Sequence, residues 1–348
     1  MKKKTFITLT LLLFFSFITH GINKDSIPII TSINLKKIPA KTINKFWLKV
    51  GSDAYNNSIL IPVLIAKGEE NGTVLGLTAA IHGNELNGIP VIQEVFKNLK
   101  INKLKGIIIA IPGLNTVSVF NNRRRFSDHV DLNRIFPGKE NGNTSQQMVF
   151  KIYNNVIKLF THHIDMHTAS FGRVNSMYAR ADLTNNTLKM MAKLQNPDII
   201  LASKGKPSFG NSNSQTLRAA AIKNGIHSIT VEYGNPQVYQ KEMTQRGVKG
   251  IENLMAWLKM IEKPITISKN INFCTKSYWL YTDKGGLLTT LNSLNDKVKK
   301  GDVIGILKNP FGTVIKKYLA PEDGIVIGKS TNPVSISGGR IIHLGILK

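Results

Sequence analysis

The chain predicts an α/β fold: a mixed, mainly parallel sheet flanked by helices, followed by a small all-β, barrel-like domain. Three observations carry that reading. Short runs that are apolar throughout, at residues 73–81 and 106–111, suit strands buried on both faces of a parallel sheet. Segments of helical character separate such runs, at residues 86–99, 188–195, 216–224 and 247–261. From about Ile265 the texture changes to short strands and turns, as in Gly285-Gly286-Leu287 and Lys300-Gly301-Asp302.

At the amino end, three lysines precede a short apolar run, which predicts a secretory signal over residues 1–21, too short for a membrane span. The mature protein is therefore expected outside the cytoplasm, in the periplasm or secreted, without a stable membrane span once the signal is cleaved; an uncleaved amphitropic anchor is the alternative. Residues 22–264 are expected to form a catalytic domain and residues 265–348 a β-rich appendage. With 348 residues and 42% hydrophobic content, the chain can fill a sizeable core. The single cysteine, Cys274, excludes a disulfide within the chain and a lipid-anchored mature amino terminus. The net charge is +25, yet its lysines are spread along the chain and form no basic stripe interleaved with aromatics. That distribution argues against nucleic acid as a partner and leaves a diffuse attraction to anionic envelope polymers.

Taken in order, residues 45–66 read as a strand-like lead-in. The organising stretch follows, TVLGLTAAIHGNELNG, in which an apolar strand stops at His82-Gly83-Asn84-Glu85 and a helix begins. Ligands bind open α/β sheets just outside the carboxyl ends of the strands, so His82 and Glu85 stand at a favoured place. An imidazole and a carboxylate three residues apart across a tight turn can share a point about 2.0–2.2 Å from each, the reach of zinc bonds. A polar turn with an acid favoured by the helix dipole explains the same pair, and HxxE alone leaves the two readings open. The strand at 106–111 ends at Pro112-Gly113. A long polar loop then holds Arg123, Arg124 and Arg125 and the run DLNRIFPG at 131–138, and loops of that length inside a domain are commonly functional. Thr144-Ser145-Gln146 signals a helix start. Residues 163–167 end on His167, and residues 227–232 on Glu232.

Four strands thus end on polar, chemically useful residues, which points to an active site at one edge of one sheet. His167 supplies a third candidate ligand, far along the chain from the first two, as catalytic zinc sites often have, with Asp165 placed to orient it. A satisfied core histidine is the plain alternative for any one of these residues. Three hydrolytic-type ligands at strand ends favour the metal. Glu232, at the end of an apolar strand, is the expected general base; its alternative is a solvated strand-end acid.

With HGNELNG, DLNRIFPG, DMHTASFGRVN, TLRAAA and TVEYG assembled, the chain resembles the zinc deacylases related to aspartoacylase and succinylglutamate desuccinylase, themselves similar to zinc carboxypeptidases. The likeness runs from about Gly51 to the carboxyl terminus. It implies one zinc ion held by His82, Glu85 and His167, Glu232 as base, and Arg125 polarising the scissile carbonyl. It also implies that Asn133 and Arg134 hold a substrate carboxylate and that Arg218 is a second carboxylate-binding residue. The expected reaction is hydrolysis of the amide of an N-acyl amino acid or a related small carboxylate; trimming of peptides by an exported carboxypeptidase and non-catalytic binding of envelope polyanions are the alternatives. The segments after Ile265 resemble biotinyl and lipoyl carrier domains but lack a carrier lysine motif, so the appendage is expected to be structural or to limit access to the site.

Overall fold

The computed structural model describes residues 27–70, 72–205 and 215–348, and the signal expected at residues 1–21 lies outside them. Its centre is a parallel block. The strand Val74–Ala79 lies between Ile107–Ile111 and His162–His167, and His227–Tyr233 pairs with the far side of His162–His167, all in parallel. Ser58–Lys67 and Thr42–Ser52 continue one side in antiparallel fashion. On the other side Met177–Ala181 runs antiparallel to His227–Tyr233, and Ile199–Ala202 follows in parallel.

Both faces of this sheet are covered, which explains why Ile107–Ile111 is apolar at every position. Ile107, Ile109 and Ile111 face one core cluster while Ile108 and Ala110 face the other, the two-residue period of a strand serving two helical layers. Helices Gly88–Asn98, Asn186–Leu194 and Lys241–Trp257 pack on the face of Ile108 and Ala110; helices Thr144–Asn155 and Leu217–Lys223 pack on the face of Ile107, Ile109 and Ile111. Thr144–Asn155 starts where its residues predict. Asn143 caps it, and Gln146 reaches back to close a capping box.

The helix expected at 247–261 instead spans Lys241–Trp257, because Gly247 is a contact inside it rather than a start. A Cβ there would stand 2.6 Å from Val91 in the neighbouring helix, so the missing side chain lets the two helices approach closely.

Beyond residue 265 the chain does two things. Gly286–Thr290, Val303–Lys308, Val314–Leu319 and Val334–Ser335 form a separate four-stranded antiparallel sheet. Asn272–Tyr281, Arg340–Leu347 and Gly324–Ser330 instead extend the main sheet, the first of them parallel to Ile199–Ala202. Gly324–Ser330 then pairs with Arg173–Asn175, and so returns to the segment just after His167. Among the described residues no helix is long and apolar enough to cross a membrane.

One strand position tests the packing directly. A Cβ on Gly76, in Val74–Ala79, would lie 2.1 Å from the buried ring of Phe160. Gly76→Ala should lower stability by about 1–3 kcal/mol, the usual cost of overpacking, and a urea midpoint at the wild-type level would show that the ring yields freely.

Candidate active site

The parallel strands deliver their terminal residues to one cavity. Val74–Ala79 leaves the sheet through Ala80, whose left-handed φ of +55° is unusual for a residue with a Cβ and turns the chain towards His82. Gly83 allows the bend: a Cβ there would sit 2.0 Å from the backbone of Ser118. His82, Glu85 and His167 come together, all buried, with one ligand atom from each lying within 4.8 Å of the others.

Hydrogen bonds decide which ring nitrogen each histidine offers. His82 Nε2 lies 2.9 Å from Asp131 Oδ1 and His167 Nε2 lies 3.0 Å from Asp165 Oδ2; a carboxylate only accepts, so both Nε2 atoms carry the proton. Both Nδ1 atoms then turn towards Glu85. His82 Nδ1 is buried, 3.0 Å from Glu85 Oε1, and makes no hydrogen bond. His167 Nδ1 is 2.8 Å from Glu85 Oε2. Lone pairs opposed in this way call for a proton or a cation between them. The ring's basicity reflects the same demand: burial opposes a charge on His167, but Asp165 and Glu85 raise it well above the ordinary imidazole value. Burial likewise opposes the charge on Glu85, yet His82 and His167 hold its carboxyl well below the usual range. Two imidazole nitrogens, one carboxylate and a carboxylate behind each imidazole fit a catalytic zinc ion.

The support behind His167 is deeper than one residue. Thr78 Oγ1 donates to Asp165 Oδ1 at 2.9 Å, so it must accept at 2.9 Å from His163 Nε2. His163 Nδ1 is then left to accept from Ser228 Oγ at 2.8 Å. Burial lowers His163 to about 4, consistent with the single ring proton this chain of bonds allows.

Glu232 stands at the end of His227–Tyr233, in register with His167 on the adjacent strand. Tyr178 OH donates to Glu232 Oε1 at 3.3 Å and Asn175 Nδ2 to Oε2 at 3.4 Å. Burial raises the Glu232 carboxyl against the pull of His167, a useful poise for a group that must take and release a proton.

The arginine assignment needs correction. Arg125, the expected residue, is exposed and its guanidinium reaches only the His129 carbonyl at 3.4 Å. Arg124 enters the cavity instead, donating to Glu85 Oε1 at 2.6 Å and Asp131 Oδ2 at 3.1 Å. The cause is local. Phe126 is buried in the core and Ser118 Oγ holds the Arg125 carbonyl at 2.8 Å, which turns the side chain of residue 125 outward and that of 124 inward.

Asn133, Arg134 and Arg218 also line the cavity, whose volume is about 360 Å³. Asn133 Oδ1 accepts from Leu217 N at 2.8 Å, tying the 131–138 loop to the helix that carries Arg218. Arg218 itself donates to Ser203 and to the Arg180 carbonyl, so part of its guanidinium serves the wall. Sequence reasoning missed Arg173 and Arg180, which bring the arginines lining the cavity to five, against two glutamates. The signal for Arg180 was its strand, Met177–Ala181, where Met177, Ala179 and Ala181 alternate with Tyr178 and Arg180. Arg180 donates to Tyr178 OH at 2.8 Å and so braces the tyrosine against Glu232. Trp279 and His343 were also missed. They form a cross-strand pair of the carboxyl-terminal strands, stacked with centroids 5.2 Å apart, and wall the cavity.

The chain is similar to known proteins. A model of the succinylglutamate desuccinylase/aspartoacylase catalytic domain matches residues 71–258. The N-α-acetyl-L-2,4-diaminobutyric acid deacetylase of Halomonas elongata is 23% identical over 294 residues, which cover 82% of this chain and 85% of that protein. Succinylglutamate desuccinylase/aspartoacylase from Rhodobacter sphaeroides aligns with a TM-score of 0.79 at 18% identity, over 92% of this chain and 99% of that one. The product-bound ectoine utilization protein EutE of Ruegeria pomeroyi aligns with a TM-score of 0.78 at 19% identity, over 89% and 97%. At these identities the solved structures speak for the fold.

Two measurements probe the site. Asp165→Asn keeps the shape behind His167 but weakens its orientation, and zinc affinity should fall about 10–100-fold in a competition titration while the fold persists. His343 provides a pH test. Burial, aided by Arg180 and Arg173, lowers its folded value to about 3, whereas the unfolded ring takes a proton near its ordinary value of 6.5. Its contribution to stability is therefore whole above about pH 6.5 and declines towards pH 3, by at most about 1.4 kcal/mol per pH unit. His343→Gln should flatten the fall in denaturation midpoint between pH 7 and pH 4.5.

Proposed function

The chain belongs to the succinylglutamate desuccinylase/aspartoacylase family, and from that premise we propose that it is a zinc-dependent hydrolase of the amide bond in N-acyl amino acids. The observation that carries the reading is the convergence of His82 Nδ1, His167 Nδ1 and the Glu85 carboxylate. The Halomonas elongata relative is by name a deacetylase of an N-α-acetylated amino acid, which supports the substrate class.

His82, Glu85 and His167 would hold the zinc ion, which when bound supplies Lewis acidity that polarises the acyl carbonyl and acidifies water. Glu232 accepts the proton of the attacking water at a carboxylate oxygen and passes it to the departing amine nitrogen. Tyr178 and Asn175 keep that carboxylate aimed through this exchange. The Arg124 guanidinium faces the negative charge that develops on the carbonyl oxygen. Asn133 and Arg134 hold the carboxylate of the amino acid and so fix the amide in the cavity. Trp279, His343 and the strands around them exclude bulk water on the remaining side.

Residues 1–21 have the charge and apolar run of a secretory signal, and we place the enzyme in the periplasm on that basis. Fractionation of cells expressing the full chain should recover it outside the cytoplasmic fraction.

Purified protein should contain about one zinc ion per chain, and His82→Ala should lose both metal and activity. Glu232→Gln should retain the metal while kcat falls about a hundred- to ten-thousand-fold. Arg124→Ala should lower kcat/KM about a hundred- to a thousand-fold, whereas Arg125→Ala should change it little. Full activity in Glu232→Gln would remove the proposed base; a polyanion-binding protein would show salt-sensitive binding indifferent to that substitution.

A further inference from the structure

The strand Thr42–Ser52, near one edge of the main sheet, gives only one of its faces to the core. Phe46, Leu48 and Val50 pack into a core cluster, and the two-residue period of a strand turns Ile43, Lys45, Trp47 and Lys49 the other way. None of these four enters a core cluster among the described residues. Ile29 pairs with Trp47 in parallel register and shares its face, 60% exposed. That face continues into a groove of about 750 Å³, lined by Trp47, Ala54, Leu60, Val117 and Phe120 among others.

Two aromatic rings stand out at this groove. Tyr55, in the turn between Thr42–Ser52 and Ser58–Lys67, and Phe120, at the end of the short helix Thr116–Phe120, are each 89% exposed. Single apolar residues on a surface are ordinary, but a contiguous set beside a groove marks a place of association. Cations accompany the apolar groups. Lys45 and Lys49 alternate with Trp47, and the exposed Arg123 and Arg125 follow Phe120. None of the four makes an ion pair among the described residues. The acids of the same two loops are Asp53 and Asp128, and both are engaged locally. Asp53 accepts from the Tyr55 and Asn57 backbone amides and from Asn57 Nδ2, and Asp128 accepts from Val130 N.

We propose that this face docks on the surface of an anionic phospholipid bilayer, with Trp47, Tyr55 and Phe120 at the level of the headgroups and Lys45, Lys49, Arg123 and Arg125 on the phosphates. Exposed aromatic rings settle at the boundary of water and acyl chains, and unpaired lysines and arginines beside them are drawn to anionic lipid. Charge argues for lipid over a second copy of the chain. A two-fold interface would set the same four cations against themselves, whereas an anionic surface neutralises them. The position of the amino end agrees. The apolar run of the expected signal ends at Ile18, nine residues ahead of Ile27, and Ile29 lies on this face. None of the seven docking residues lines the metal cavity, so docking and hydrolysis can be measured separately.

The test is co-sedimentation of the full chain with vesicles of phosphatidylcholine alone and of phosphatidylcholine mixed equally with phosphatidylglycerol. The wild-type protein should bind the mixed vesicles about tenfold or more tightly than the neutral ones. Two double variants divide the contributions. Tyr55→Ser with Phe120→Ser removes the rings, and Arg123→Gln with Arg125→Gln removes two charges; each should weaken binding to the mixed vesicles about tenfold. All four side chains are exposed, so both variants should keep the wild-type denaturation midpoint, and the second stands as an independent test should the first lose stability. Wild-type protein that ignores the mixed vesicles overturns the proposal. So does binding that is equal in the wild type and both variants, which would come from the amino-terminal run or from overall charge. A dimer seen by light scattering, dissolved by Tyr55→Ser with Phe120→Ser and indifferent to vesicles, overturns it in favour of a contact between two copies.

Discussion

The site depends on a conflict of electron pairs. Two imidazoles with their protons already committed to Asp131 and Asp165 direct their remaining nitrogens at one carboxylate, in a place shielded from water. Such an arrangement is costly unless a positive charge sits among the three groups, because burial removes the solvent that would otherwise screen them. The surrounding structure then has one task, to keep these groups from relaxing apart. Asp165 is pinned by Thr78, Thr78 by His163 and His163 by Ser228, each on a strand of the central sheet. The parallel core is thus the frame that holds the donor atoms in place.

That frame has little freedom of its own. Strands buried on both faces have no solvent side on which to slip, since a one-residue shift would exchange the faces of every isoleucine in Ile107–Ile111. Register between His162–His167 and His227–Tyr233 sets Glu232 beside His167. The position of Glu232 relative to His167 is therefore a property of backbone pairing rather than of side-chain packing. Tyr178 and Asn175 need only settle the last torsions of the carboxylate.

Much of this was legible in the residues because parallel strands announce themselves: short apolar runs that stop abruptly on histidine or glutamate leave few other places for such groups to go. His82, Glu85, His167 and Glu232 were all readable in that way. What could not be read was direction inside irregular backbone. Three consecutive arginines differ only in how a turn presents them, and that turn is fixed by the burial of Phe126 and by a hydroxyl from Ser118, both contacts made after folding. Arg180 was within reach of pattern reading, since it alternates with buried residues in Met177–Ala181. Trp279 and His343 were not. They meet only through a strand pairing that bridges most of the appended region, and no local spacing encodes it.

That pairing also bears on how the protein is made. Arg340–Leu347 runs to the penultimate described residue, and it carries the histidine that closes one wall of the cavity against Trp279. A nascent chain can form the central parallel strands and gather His82, Glu85 and His167 before this strand has left the ribosome. The pocket at that stage stands open to water on one side. Closure of the cleft on that side therefore waits for Arg340–Leu347, and a chain cut before this strand would keep His82, Glu85 and His167 together while leaving that wall open.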